Sequence, residues 1–199
     1  MNIERIVRDS SNTDPGQFYL LLTASIVPRP IAWVSSRSAA GVDNVAPYSF
    51  FSVASTAPPI ISFTSVGGAK NSAANAIETG EFVVNVVTES LTRKANASSA
   101  GFDSDRDEFV EADIASVPAE TVNCLRVRDS PVALECRLHR HLEVGNCVVV
   151  MGEVVAVTLD ASVVAEDGLP DFARLAPMSR LGRQEWGLPS RTIEIDRPT

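Results

Sequence analysis

The fold of this chain is decided by residues Ile31–Val87, which read IAWVSSRSAAGVDNVAPYSFFSVASTAPPIISFTSVGGAKNSAANAIETGEFVVNVV. Apolar runs rich in β-branched and aromatic residues alternate with turn-forming residues, a composition typical of strands. One helical pattern, Ala73–Thr79, precedes the last run, and we expect Asn71 or Ser72 to cap it and Gly80 to end it. The predicted strands are Ile31–Ser36, Ala46–Val53, Ile60–Thr64 and Phe82–Val87.

The connection between the third and fourth predicted strands, Ser65–Ser72, contains a candidate anion site. Gly67 and Gly68 allow positive φ and a close approach of the backbone to a ligand. The start of the following helix exposes unpaired N–H groups that attract an anion, and Lys70 adds a full charge. The alternative is an ordinary strand–turn–helix with a solvated lysine, because the stretch contains neither a Walker sequence nor GxGxxG.

Short segments spread over most of the chain form an ordered set. They are Arg29–Ser35, Gly41, Asn44–Phe51, Ser55, Pro58-Pro59, Gly80–Val86, Asp107–Phe109, Ser130–Cys136, Gly152–Val154 and Arg180–Gly182. The set resembles the flavin reductase-like proteins, which are FMN-binding split β-barrels, and it is most like their flavoredoxin branch. No single segment is decisive, and the specificity lies in their order.

The resemblance implies a mainly β fold, a Greek-key split β-barrel with a few short helices. The length of 199 residues suits one domain, with a C-terminal extension from about residue 160. From the residues themselves, six or seven strands favour a closed barrel, which leaves no open edge. The resemblance also implies bound FMN, with FAD less expected, and a homodimer whose interface helps to build the site.

Eleven residues are predicted on this resemblance to bind the cofactor. Ser65, Lys70, Asn71 and Ser72 are assigned to the phosphate, and Trp33 packs against the flavin ring or shapes its pocket. Pro47 fits a central ladder poorly, so its strand is either a bulged edge or one whose free backbone groups meet the isoalloxazine. The predicted residues are Trp33, Asn44, Ala46, Pro47, Tyr48, Ser49, Thr64, Ser65, Lys70, Asn71 and Ser72. No acid–base residue is assigned, because hydride transfer to flavin N5 needs none.

The resemblance implies an FMN-dependent oxidoreductase fed by a reduced nicotinamide, NAD(P)H, or by a protein donor. Relatives that use NAD(P)H to supply a flavin-dependent monooxygenase carry Gly-Asp-His, where this chain has Gly145-Asn146-Cys147. The missing histidine keeps a second interpretation open, an electron carrier of the flavoredoxin kind whose partner is a redox protein. A third is a split barrel with another ligand or none, as in barrels like pyridoxamine-phosphate oxidase.

Composition excludes several other classes. The chain is 45% hydrophobic and 21% charged, as in globular proteins, and its net charge of −8 argues against nucleic acid or anionic membranes as partners. The 3 cysteines are widely spaced, which fits neither a disulfide framework nor a zinc site. The N-terminus lacks a secretory hydrophobic region and no apolar run is long enough to span a membrane, so we expect a cytoplasmic protein.

The remaining elements are predicted from local patterns. We expect helices at Gly16–Ala24, after an Asp14-Pro15 start, and at Glu89–Ala100, and strands at Val132–His139 and Asn146–Leu159 joined through Gly145. The second of these strands is expected to be buried on both faces for part of its length. His139 and His141 share a strand face without a convincing third ligand, so we predict surface positions and no metal site.

Three further segments bear on the site. Arg29 is either a surface ion pair or a flavin contact, and Gly101–Glu108 is predicted to be a solvated loop. Arg174–Gly182 resembles the family segment that returns to the flavin. Relatives continue with a glycine and a tyrosine, and Trp186 is the candidate to replace that tyrosine.

Overall fold

The protein is described here by a computed structural model that covers residues 3–198, and strands dominate it. The strands are β1 (Arg29–Pro30), β2 (Ala32–Arg37), β3 (Asp43–Tyr48), β4 (Phe51–Thr56), β5 (Pro59–Val66), β6 (Glu81–Val86), β7 (Ser116–Pro118), β8 (Leu125–Val127), β9 (Val132–Val144), β10 (Cys147–Leu159), β11 (Ser179–Arg180) and β12 (Trp186–Gly187). The helices are α1 (Pro15–Ser25), α2 (Asn71–Thr79), α3 (Thr92–Ala97), α4 (Glu108–Glu111) and α5 (Phe172–Leu175). Short 3₁₀ turns cover Glu89–Leu91 and Ala161–Val163.

A seven-stranded sheet in the order β3-β2-β6-β9-β10-β5-β4 forms the body of the molecule, and every pair in it is antiparallel. The mainly β prediction is confirmed. The closed barrel is not, because no ladder joins β3 to β4 within residues 3–198. The reason is local: α4 covers the outer edge of β3, where the Val45 N–H donates to the Glu108 carboxylate at 3.0 Å.

The predicted strand Ala46–Val53 is wrong, because two strands occupy that region. β3 pairs with β2, and β4 pairs with β5 on the far side of the sheet. Ser49 and Phe50 join the two strands at the corner where the chain leaves one sheet edge for the other. The Thr64 N–H donates to the Phe50 carbonyl at 2.9 Å and holds that corner against β5.

The main core lies between the sheet and α2. Phe63 and Phe82 are fully buried and meet edge to face at 5.4 Å between ring centroids. Gly152 of β10 lies directly against the Phe82 ring, where a larger side chain would overlap it. Burial of both faces of β10 was predicted and is wrong. Buried and partly exposed residues alternate along its first half, the pattern of a strand with one core face.

A second core cluster covers the β3 side of the sheet. Trp33 is fully buried there among Val45, Leu91, Phe109 and Met178. Its indole Nε1 donates to Ser98 Oγ at 2.9 Å, which satisfies the only polar group of the side chain. This cluster fixes α3, α4 and the C-terminal segment relative to β3.

The tail contains more structure than a loose extension. β11 pairs with β1, with Arg29 opposite Arg180, and β12 pairs with β11. The Met178 N–H donates to the Val87 carbonyl at 2.8 Å and joins the tail to the end of β6. These pairings bring Arg180 and Trp186 beside β3.

The predicted first helix is confirmed as α1. The Asp14 carboxylate accepts from the Gln17 N–H at 3.0 Å and caps the helix. The helix Glu89–Ala100 is confirmed only in part, as a 3₁₀ turn followed by α3. Within residues 3–198, no helix has both the length and the apolar character needed to cross a bilayer.

Candidate functional site

A cavity of about 440 Å³ lies between β3, the start of α2 and the segment after α3. This volume is in the range of small-molecule and cofactor sites, about 300–1,000 Å³. The cavity is lined by Tyr19, Asn44, Ala46, Pro47, Tyr48, Ser49, Phe50, Thr64, Val66, Lys70, Asn71, Ser72, Ser98, Ser99, Ala100, Gly101, Phe102 and Glu108.

Most of the residues predicted to bind a cofactor converge on this one cavity. They are Asn44, Ala46, Pro47, Tyr48, Ser49, Thr64, Lys70, Asn71 and Ser72. Trp33 and Ser65 are not among the lining residues. Trp33 is one layer behind the wall and holds Ser98, which does line the cavity.

Ser65 is fully buried and organises the turn before α2. Its hydroxyl donates to the Gly68 carbonyl at 2.6 Å and accepts from the Lys70 N–H at 3.2 Å. The hydroxyl is therefore engaged within the turn. In this geometry Ser65 positions Lys70.

The start of α2 forms the anion end of the cavity, which we define as Lys70, Asn71 and Ser72. Asn71 or Ser72 was predicted to cap the helix, and this is wrong, because Lys70 is the N-cap residue and makes no side-chain cap bond. Neither the first-turn bonds of the helix nor the side-chain contacts of the described residues use the N–H groups of residues 71–73. They remain as donors at the end of the cavity that Lys70 also lines.

Gly67 and Gly68 have the predicted positive φ values of 83° and 97°. Their N–H groups do not face the cavity as anion donors. Both donate to the Asn146 carbonyl in the β9–β10 turn, at 2.9 and 3.1 Å. The glycines therefore join the Ser65–Ser72 connection to the β9–β10 hairpin. The remaining candidates for binding an anion are the helix start and Lys70.

β3 is an edge strand, which explains how it accepts Pro47. Since the Val45 N–H points away from β2 toward Glu108, backbone groups two residues along point the same way. Pro47 thus occupies an outward position where no ladder donor is lost. Its carbonyl remains on the outer edge, next to the cavity that Pro47 helps to line.

Glu108 is the main site residue that the sequence did not predict. It was placed in a solvated loop, yet it is only 4% exposed and lines the cavity. Asp107 caps the turn that carries it, accepting from the Phe109 N–H at 2.9 Å. Burial raises the pKa of Glu108 to about 7, against the opposing effect of the Val45 N–H. The carboxyl group therefore changes charge near neutral pH.

Tyr48 and Ser72 make the polar floor of the cavity. The Ser72 hydroxyl donates to Asn44 Oδ1, which fixes the Asn44 amide. The Tyr48 ring packs on Phe63 at 4.9 Å between centroids, and burial raises the pKa of its hydroxyl to about 12. Tyr48 is thus a neutral donor at every physiological pH.

Arg29 is neither a surface ion pair nor a cavity wall residue. It is 8% exposed, and its guanidinium donates to the carbonyls of Thr23, Ile26 at 2.7 Å and Leu181 at 2.8 Å. The side chain joins the end of α1 to the tail. It reaches the cavity wall through a long contact to Ser49 Oγ, at 3.5 Å.

A second cavity region adjoins the first. A space of about 210 Å³ shares Pro47, Tyr48 and Ser49 with the main cavity and reaches Arg180 and Trp186. It leads to a more open space of about 690 Å³. We call the region lined by Thr92, Arg93, Asn96, Arg180, Gln184 and Trp186 the arginine annex.

None of the described histidines and cysteines lines the main cavity. His139 and His141 lie on an exposed stretch of β9, as predicted, and no His, Cys, Asp and Glu cluster suited to a metal ion occurs among residues 3–198. Cys124 and Cys136 are buried and unpaired, and Cys147 is half-buried.

Several cavity residues carried no local signal in the sequence. Tyr19 and Phe50 are apolar or aromatic residues of ordinary elements, and the segment Ser98–Phe102 arrives only because α3 packs over β3. Glu108 had one usable signal, since Asp107-Glu108-Phe109 is among the segments of the ordered set. An acidic residue within a charged stretch was read as solvated, and only the fold shows that it is buried.

Residues 24–174 match the model of the "Flavin reductase like domain" family. An uncharacterized protein of Halalkalibacterium halodurans is 36% identical over 191 residues, 91% of each chain. The structure of nitrilotriacetate monooxygenase component B from Bacillus cereus is 28% identical, with a TM-score of 0.91 over 98% of this chain and 100% of that one. The relative and the solved structure match almost the whole chain.

A structure of 2-nitrobenzoate 2-nitroreductase from Pseudomonas fluorescens is also 28% identical, with a TM-score of 0.89 over 98% of this chain and 97% of that one. Flavoredoxin of Desulfovibrio vulgaris (Miyazaki F) shares the fold, with a TM-score of 0.77 at 22% identity over 84% of this chain and 90% of that one. The predicted family is confirmed, and the chain belongs to the flavin reductase-like domain family.

Proposed function

We propose that this protein binds FMN in the main cavity and is an oxidoreductase that takes electrons from a reduced nicotinamide. The observation that carries the proposal is the joining, in one cavity of about 440 Å³, of an uncapped helix start bearing Lys70 and an edge strand with outward backbone groups. A phosphate and a flat ring with a polar edge need those two features side by side.

The anion end is the proposed phosphate site. The N–H groups at the start of α2 and the Lys70 ammonium supply charge-assisted donors. In a chain of net charge −8, an anion needs such local positive potential to bind. Ser65 holds Lys70 at the N-cap through its bond to the Lys70 N–H.

β3 is the proposed ring site. The Pro47 carbonyl on the outer edge would accept a hydrogen bond from the ring, and the Asn44 amide is oriented by Ser72. Tyr48 stays neutral and offers a hydroxyl next to the same wall. Bound FMN would supply the redox chemistry, accepting a hydride and releasing electrons, while this chain binds and orients it.

The names of two relatives support an electron-delivering role. One is a monooxygenase component and the other a nitroreductase, and both match over almost the whole chain. We therefore propose a reductase fed by a nicotinamide nucleotide, with a flavin-dependent monooxygenase or another redox protein as the recipient of its electrons.

One observation favours the second candidate, an electron carrier. The turn Gly145-Asn146-Cys147 holds no histidine, and the Asn146 carbonyl there is occupied by the N–H groups of Gly67 and Gly68. The turn therefore supports the Ser65–Ser72 connection. A carrier would hold FMN in the same cavity and receive electrons from a protein.

We also propose that two copies associate through α1. This helix has no distinct polar face, and Leu20 and Leu22, together with Ile26 directly after the helix, are 51%, 48% and 62% exposed. A helix of that kind is normally buried by a partner surface. Tyr19 of the same helix lines the cavity, so a second copy placed on α1 would lie beside the site.

An anaerobic titration tests the reductase directly. The protein is saturated with FMN, free FMN is removed, and NADH or NADPH is added while the flavin absorbance is followed. Rapid bleaching by a nucleotide supports the reductase. A protein that retains flavin but is bleached by neither nucleotide is the carrier.

A further inference from the structure

The geometry points to NADPH as the electron donor, with its 2′-phosphate bound in the arginine annex by Arg93 and Arg180. This inference rests on the proposed function, because it names the nucleotide that the flavin site uses. It concerns a different set of residues, which lie outside the main cavity and are connected to it through a space that shares Pro47, Tyr48, Ser49 and Ser99 with it.

The annex is continuous with the place where the flavin ring is proposed to lie. Pro47, Tyr48 and Ser49 line the main cavity on one side and the space that reaches Arg180 and Trp186 on the other. Arg93 lines the more open space beyond. A donor with its nicotinamide near β3 therefore has a path for its adenosine half along Trp186 toward Arg93.

Uncompensated positive charge is the first argument for an anionic ligand. Arg29 and Arg180 face each other across the β1–β11 pair, and like charges in that position are destabilising. Burial, and after it the charge of Arg180, lower the pKa of Arg29. None of the ion pairs formed among residues 3–198 includes Arg29, Arg93 or Arg180. An anion bound at Arg180 would relieve this repulsion.

The lining of the annex supplies the second argument. Of the described residues that line it, none is Asp or Glu, although the chain as a whole is acidic. Nucleotide sites that prefer the unphosphorylated ribose place a carboxylate against the 2′-hydroxyl, whereas an arginine accommodates a 2′-phosphate. The annex has arginines and no carboxylate among the described residues that line it, as expected of a site for a 2′-phosphate.

Arg180 is held in place before any ligand arrives. Two of its N–H groups donate to the carbonyls of Gln184 at 3.3 Å and Arg183 at 3.2 Å, and its guanidinium lies 5.2 Å from the centroid of the Trp186 ring. A guanidinium has five N–H donors, so others remain for a phosphate. Trp186 lines both the connecting space and the annex, so an aromatic side chain lies along the proposed path of the adenine, which stacks well on such rings.

The binding test uses two small probes that differ only in the 2′-phosphate. 2′,5′-ADP and 5′-AMP are titrated calorimetrically into the FMN-loaded protein and the flavin-free protein. We expect 2′,5′-ADP to bind at least about tenfold more tightly, a difference of ~1.4 kcal/mol. In Arg93→Gln that preference should fall to near one. Equal binding of the two probes to the wild-type protein would overturn the inference.

Kinetics provide the second arm. Arg93→Gln should raise the KM for NADPH about tenfold relative to the KM for NADH. Arg180→Gln should act in the same direction. Arg140→Gln removes an exposed arginine on β9 and is the matched control. An equal rise in the KM values for NADPH and NADH in Arg93→Gln would mean that the annex does not bind the 2′-phosphate.

The outcomes separate this inference from the proposed function. If the protein retains flavin and NADH and NADPH bleach it equally, only the NADPH preference assigned to the annex is contradicted. Failure to retain flavin contradicts the proposed function, and the probe titration with flavin-free protein then still decides whether the annex prefers 2′,5′-ADP. Weak, equal binding of both probes there would contradict the annex as well.

Discussion

The anion end and the arginine annex both attract negative charge, but they do so with different groups. At the anion end, N–H groups of α2 act together with Lys70, and the buried carboxyl of Glu108 faces the same space. The annex relies on the full charges of Arg93 and Arg180, with no carboxylate in its lining among the described residues. The first arrangement suits a phosphate held in one place, and the second suits a ligand that arrives, binds and leaves.

The difference also affects how each region responds to its surroundings. Dipoles and N–H groups in a partly enclosed cavity are little screened by salt, whereas exposed charges are strongly screened. A carboxyl group beside a phosphate site makes binding depend on pH, since its ionised form repels the ligand. The predictions below use these contrasts.

The largest expected effect comes from Lys70→Ala, which removes the only full charge of the anion end. FMN binding should weaken by roughly 1–3 kcal/mol, the range of charge-assisted bonds. Riboflavin, which has no phosphate, should bind almost equally to both proteins. The measurement is a fluorescence titration of each flavin.

Lys94→Ala is the matched control for that experiment. Lys94 pairs with Asp113 at 3.1 Å, outside the cavity, so its loss should leave both flavin affinities unchanged. Equal FMN affinity in wild-type protein and Lys70→Ala would place the phosphate elsewhere.

The second effect is a pH dependence set by Glu108. The folded state raises its pKa to about 7, so it keeps the proton between the ordinary value of 4.5 and 7 while the unfolded chain does not. Its contribution to the free energy of unfolding therefore falls as pH rises through that window. Above pH 7 the loss of stability is complete. FMN affinity should fall as pH rises through about 7, the pKa of the folded state, because the ionised carboxylate repels the phosphate.

Glu108→Gln keeps an acceptor for the Val45 N–H and removes the charge. At pH 8 it should bind FMN more tightly than wild type does, and at pH 6 the two affinities should be closer. The stability of the variant should depend less on pH than that of wild type. Parallel pH profiles for the two proteins would show that Glu108 does not titrate near neutrality.

The third prediction compares the two regions through salt. Raising the ionic strength from about 0.05 to 0.5 M should raise the KM for NADPH severalfold and change FMN affinity much less. Stopped-flow reduction and flavin titration measure the two quantities. A steeper salt dependence for FMN than for NADPH would reverse the proposed contrast between the anion end and the annex.

The smallest effect on FMN binding is expected from Ser65→Ala. The change leaves the Gly68 carbonyl and the Lys70 N–H without their buried partner, so the free energy of unfolding should fall by about 1–3 kcal/mol. FMN affinity should fall by much less than in Lys70→Ala. Thermal unfolding and flavin titration separate the two effects, and a large loss of FMN affinity without a loss of stability would make Ser65 a direct ligand.

The anion end was predictable because everything that builds it is local. A strand, two glycines, a lysine and a short helix follow one another within Pro59–Gly80, and each has its own composition signal. The capping prediction failed because the N-cap position lies at Lys70, one residue before Asn71, and Ser72 bonds to Asn44 of β3 rather than to its own helix. Local helix-capping propensity cannot predict a hydrogen bond to a residue that is distant in the sequence.

The other walls depend on contacts between distant parts of the chain. Glu108 is buried because Val45 needs an acceptor, and Arg180 reaches the site because β11 pairs with β1. For Arg29 the sequence left open a surface ion pair or a flavin contact, and neither includes the carbonyl of Leu181, which the tail brings to it. Sequence patterns identify a strand or a helix, but they do not show which elements meet.

The central claim is that the cavity beside the start of α2 holds FMN by its phosphate. The most direct measurement is gel filtration of wild-type protein and of Lys70→Ala, each mixed with an equal amount of FMN, with the flavin absorbance of the protein peak recorded. We expect flavin to travel with the wild-type protein and to be largely lost from the variant. A colourless wild-type peak would contradict the claim, and equal flavin in both peaks would contradict the assignment of the phosphate to Lys70.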